Sequence, residues 1–127
     1  MKKIPLVAPD GHLARQIALY DEQHRFETVR FTTVANALEK TQPNEMLIIQ
    51  WTVAEIIETL KQANGIARPF IVYCPELAER TAKEGENIRL ALLQFGAAAV
   101  FSQGRKLPQM LAICSASSGS RGPGTVA

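Results

Sequence analysis

Met46-Leu47-Ile48-Ile49-Gln50-Trp51 is a run of four apolar residues that leads into a glutamine. Polar residues (42–45) precede it, and Thr52-Val53-Ala54-Glu55, a helix-start signature, follows at once. An apolar run of this length without alternation suits a strand buried on both faces, as in the middle of a parallel sheet. Ligands of open parallel sheets bind beyond the carboxyl ends of the central strands. Gln50, an uncharged amide, is therefore expected at the rim where a site would form.

Downstream of that run, Thr52 and Glu55 form a capping box, and Val53, Ile56, Ile57 and Leu60 make the buried stripe of a helix that stops at Asn64-Gly65. Arg68-Pro69 leads into an apolar strand over 70–74, closed by Pro75. The charged stretch 77–86 contains Gly85 and reads as a surface turn of helix or a mobile loop. Ile88, Ala91, Leu92 and Phe95 then share a helix face that Gly96 stops. Small residues (97–101) form a fifth strand, and Leu107, Met110, Leu111 and Cys114 mark a last helix with Pro108 in its first turn. From 116 to 127 the chain is rich in Gly and Ser and reads as a flexible tail.

Upstream, residues 4–8 make a first strand ended by Pro9-Asp10-Gly11. Pro5 is out of place there, because proline supplies no ladder donor. Leu13, Ile17 and Tyr20 fall at i, i+4, i+7 of a first helix, and the polar stretch 21–25 ends it. Residues 26–32 alternate, as a half-exposed strand near a sheet edge does. Val34, Ala37 and Leu38 line a short second helix that stops before Pro43. Five strands alternating with five helices predict a flavodoxin-like, doubly wound, five-stranded parallel sheet in the order 2-1-3-4-5, with helices on both faces.

Composition narrows the class. The 127 residues are 46% hydrophobic and 20% charged, as a globular domain is. Fourteen Lys and Arg against twelve Asp and Glu give a net charge of +2, no basis for nucleic-acid or membrane binding. The two cysteines, Cys74 and Cys114, are far apart in sequence and are expected to be reduced and buried. No apolar run approaches the ~18 residues of a membrane span, and no signal-peptide pattern opens the chain, so a cytoplasmic location is expected.

Two segments resemble a known family. Lys3-Ile4-Pro5-Leu6-Val7-Ala8-Pro9-Asp10-Gly11-His12-Leu13-Ala14-Arg15 looks like the opening of a response-regulator receiver domain, and Gly96-Ala97-Ala98-Ala99-Val100-Phe101-Ser102-Gln103 is similar to that family's last strand. The resemblance extends by element order over 1–115. Receivers use an aspartate nucleophile, acidic partners for Mg²⁺, and a hydroxyl and a lysine for the phosphoryl oxygens. Here the acceptor falls on Gln50, the metal pair on Ala8 and Pro9 with only Asp10 beyond, the hydroxyl on Cys74 and the lysine on Gln103. The aromatic switch position falls on Val100. The resemblance thus implies a degenerate receiver that is not phosphorylated, holds no metal or cofactor and catalyses nothing. It would work through protein partners in a bacterial-type two-component pathway. By the same resemblance, Asn87, Arg89, Val100, Arg105, Lys106 and Gln109 are candidate contacts for a partner or a second copy, on the face of the fourth helix, fifth strand and fifth helix.

Asp10-Gly11-His12 also matches part of the Asp-x-His-x-x-Gly motif of cobalamin-binding domains of the same topology. This makes a small-ligand or corrinoid-binding domain the alternative. The glycine position is Arg15, and the companion motifs are replaced by Gln50-Trp51-Thr52 and Pro75-Glu76. Read without that motif, Asp10 is an N-cap and His12 a solvent-facing residue of the first turn. Cys74 would act as a nucleophile only with a partner that lowers its pKa. Trp51 is either core or an exposed contact.

Overall fold

Leu47, Ile48 and Ile49 are fully buried and form the middle strand of a five-stranded, all-parallel sheet. A computed structural model of the chain describes residues 2–62 and 65–116. The strands are β1 (Lys2–Val7), β2 (Phe26–Phe31), β3 (Leu47–Gln50), β4 (Phe70–Tyr73) and β5 (Ala99–Phe101), in the order β2-β1-β3-β4-β5. The helices are α1 (His12–Tyr20), α2 (Val34–Lys40), α3 (Val53–Leu60), α4 (Ala82–Phe95) and α5 (Leu107–Ala116), with short 3₁₀ turns at Pro75–Glu79 and Gly104–Lys106. The expected topology is the one observed.

The lack of alternation in β3 has a direct cause. Ile48 points with Ile4, Leu6, Ile71 and Tyr73 into a core closed by α1 and α5. Leu47 and Ile49 point with Val7, Phe70 and Val72 into a second core under α2, α3 and α4. Successive side chains of a strand face opposite ways, so a strand covered on both sides must be apolar at every position. Burying each such side chain stabilises the fold by roughly 1.5–3 kcal/mol. Trp51 joins the second core: it is 7% exposed and stands edge-on to Phe70, which also stands edge-on to Phe95. It is a packing residue. Both cysteines are buried free thiols, as expected.

Pro5 lies inside β1, one strand in from the edge. The amides of Lys2 and Ala8 donate to Arg25 and Phe31 on the β2 side, so by alternation the missing donor of Pro5 faces β3. Pairing of β1 with β3 begins only at Leu6, opposite Ile48. The proline therefore removes a bond where the ladder has not yet started.

Three helices depart from expectation. α4 starts at Ala82, because Thr81 caps it by accepting the Glu84 N–H at 3.2 Å. Within 77–86, residues 77–79 belong to the 3₁₀ turn and 82–86 to α4, the helical alternative, with Gly85 in the first turn of α4. In α1 the N-cap residue is Gly11, and Asp10 acts one place earlier, its Oδ1 accepting the His12 N–H at 2.9 Å. Tyr20 and Ile57, expected in buried stripes, are 46% and 47% exposed, at the end of α1 and the margin of the α3 stripe. Gly96 ends α4 as expected: its φ of 123° is a left-handed value that suits glycine, and its N–H caps Leu92 and Leu93. Asn64 lies outside the described residues, as does the expected tail except for Ala116, which closes α5.

Two polar ties link distant segments. The Lys2 ammonium donates to the Cys114 and Ser115 carbonyls at the end of α5, where a cation also complements the helix dipole. The Arg68 guanidinium donates to the Gln42 and Glu45 carbonyls, anchoring the polar segment before β3.

Candidate functional site

Connections from β1 and β3 leave the sheet in opposite directions, so their carboxyl ends diverge and open a crevice between them. A depression of about 470 Å³ lies there. Ala8 and Pro9 from the end of β1, Gln50 from β3, and Pro75 and Glu76 from beyond β4 line it. Thr32 and Thr33, before α2, close one side, and Thr52 and Glu55, at the start of α3, the other. Gln50, expected at the rim, is among the residues that line the depression.

The start of α3 controls the electrostatics. The free N–H groups of a helix N-terminus attract anions. Here Thr52 Oγ1 accepts the Glu55 N–H at 3.1 Å, and Glu55 Oε1 accepts the Thr52 N–H at 2.9 Å. Glu76 reaches across from beyond β4 and its Oε1 accepts the Val53 N–H at 2.6 Å. Two carboxylates of the chain thus occupy the place where an anion would bind.

Gln50 ends β3 in register with Tyr73, and its amide Oε1 is buried without a hydrogen-bond donor. The Ala8 N–H donates to Phe31, and its carbonyl accepts Arg30 Nη1 at 3.2 Å. Cys74 does not reach the depression. It is fully buried in the second core, and burial pushes its thiol pKa up, with the Glu76 charge acting the same way and the Leu77 and Glu76 N–H groups opposing. A thiol held protonated in this way is a poor nucleophile.

The remaining expected positions scatter. Asp10 and His12 are exposed, and the Asp10 carboxylate binds the His12 backbone. Gln103 is exposed and accepts Arg105 Nε at 2.5 Å. It lines a separate groove of about 260 Å³ between α4 and β5, together with Arg89, Val100, Arg80 and Glu86. Arg89 pairs with Glu86 at 2.6 Å, while Asn87, Lys106 and Gln109 are exposed nearby in the chain. Among the described residues no three His, Cys, Asp or Glu side chains gather as a metal site, and no helix is long and apolar enough to cross a membrane.

Thr32, Thr33, Glu55 and Glu76 were not expected at the site. The capping box pointed to Glu55, but only as a helix-start residue. Glu76 and Val53 are 23 residues apart, and nothing local in the sequence signals their contact. Compared with known proteins, the chain matches no family model, no curated protein and no solved structure.

Proposed function

We propose that this chain is a receiver-like regulatory module that acts by protein contact and independently of phosphorylation. One observation carries the reading: β3 ends in the amide of Gln50, beside an α3 N-terminus already filled by Glu55 and Glu76. An amide cannot form an acyl phosphate, and two carboxylates repel an incoming phosphoryl group. The partner face is the β5 edge of the sheet, where Arg89 and Val100 border one groove and Asn87, Arg105, Lys106 and Gln109 are candidate contacts. Its occupant would be a signalling protein or a second copy, in a cytoplasmic pathway of bacterial two-component type, with switching driven by binding.

The chain is incubated with Mg²⁺ and acetyl phosphate, then with beryllofluoride, and followed by intact mass and amide spectra. Neither mass nor rim amides should change; a gain of one phosphoryl group, or specific shifts at Gln50 and Ala8, overturns the reading. Partner capture by the whole chain should be lost in Arg89→Glu and kept in Asp10→Asn.

A further inference from the structure

The depression between β1 and β3 has no role in contacts made at the β5 edge. We infer that it binds a small organic cation, through an ammonium or guanidinium group. The inference does not depend on the regulatory reading, and its test does not use a partner.

Position and size come first. The depression lies at the topological switch point, the general ligand site of open parallel sheets. Its volume of about 470 Å³ lies within the range of roughly 300–1,000 Å³ typical of small-molecule sites.

The sign of the charge follows from the lining. Glu55 and Glu76 contribute two carboxylates, and no Lys, Arg or His lines the cavity. The N–H groups of Thr52, Val53 and Glu55, which could have held an anion, are already bonded within the chain. An anion would meet repulsion and few donors.

Acceptors are in surplus. Glu55 and Glu76 each use Oε1 on the backbone, which leaves the second oxygen of each with no bond among the described residues. Gln50 adds an amide oxygen that has no donor. A half-turn of a terminal amide exchanges its oxygen and nitrogen, so a donor entering the cavity can draw that oxygen toward it. Several acceptors, net negative charge and limited volume complement a cation with several N–H groups. Arg30, whose Nη1 bonds the Ala8 carbonyl, opposes such a ligand from outside the lining.

The test is an NMR titration of the whole chain with agmatine, which carries a guanidinium and an ammonium. Inorganic phosphate and 1,4-butanediol serve as the anionic and neutral comparisons. Agmatine should give saturable shifts at Thr33, Thr52 and the Gln50 side-chain amide. Glu55→Gln and Glu76→Gln keep an oxygen for the backbone N–H but lose the charge, and each should weaken binding about tenfold. Arg30→Gln, an exposed position, should tighten it. N-acetylarginine methylamide distinguishes sources: tighter agmatine binding assigns a free amine, and tighter binding of the capped residue assigns a protein side chain. No saturable shift with agmatine overturns the inference. So does an equal response to phosphate or butanediol, or a loss of affinity in Arg30→Gln.

Discussion

Asp21 is the only polar or charged residue buried among the described residues. It sits just after α1, where its two carboxylate oxygens accept the Arg25 and Phe26 N–H groups, each at 2.9 Å. Its carbonyl accepts the N–H of His24, which has a left-handed φ of 50°. The residue therefore builds the turn that sends the chain into β2. Burial by itself pushes its pKa up, but the Arg25 and Phe26 N–H groups, with the Arg25 and His24 charges, bring it below the ordinary value. A depressed folded pKa contributes stability that is fully present above the unfolded pKa and is lost as pH falls through the folded value. Urea denaturation should show stability falling from about pH 5 downward, and Asp21→Asn should flatten that fall. A wild-type acid limb no steeper than the variant's would refute this role for Asp21. In the sequence the same aspartate is one polar residue among five at a helix end, because a bond to residues four and five places on leaves no mark in hydropathy.

Elements were more legible than residues. Leu47, Ile48 and Ile49 of β3 and all of β4 are apolar because both faces are covered, and β2 is only partly buried because it is an edge strand. The α3 start was visible because a capping box is written within four residues. The start of α4 carries a similar signature, Thr81-Ala82-Lys83-Glu84, which its charge and Gly85 obscured. The Thr81 hydroxyl and the Glu84 N–H are bonded, so Thr81→Ala should cost about 1 kcal/mol in chemical denaturation. The Thr81→Ser control should lose only a fraction of that. Equal losses in the two variants would mean that capping is not the cause. Pro5 marks the opposite case. It counted against a strand, and only the register with β3 explains why it is tolerated.

At the scale of the whole molecule, topology decides what meets at the rim. Strand order follows from the alternation of elements, and it brings the ends of β1, β3 and β4 together. What the order does not encode is the reach of individual side chains. Ala8 and Gln50 arrive at the depression, Cys74 is turned into the core, and Gln103 goes to another groove. The two glutamates that set the sign of the rim come from a helix cap and a post-strand turn.

The bond between Glu76 and the Val53 N–H also bears on how this surface could change in the course of evolution. A single codon change at position 50 can supply a carboxylate, but it would be placed beside two others that the helix start already holds. Gln50→Asp should therefore lose stability at neutral pH and regain part of it on acidification, because crowding raises the new group's pKa above its unfolded value. Denaturation at pH 7 and about pH 5 reads the difference, and equal losses at both would remove crowding as the cause. Pairing Gln50→Asp with Glu76→Gln should recover most of the deficit. The path to a carboxylate at this position runs through Glu76 first, and one substitution alone meets a barrier that the fold itself has raised.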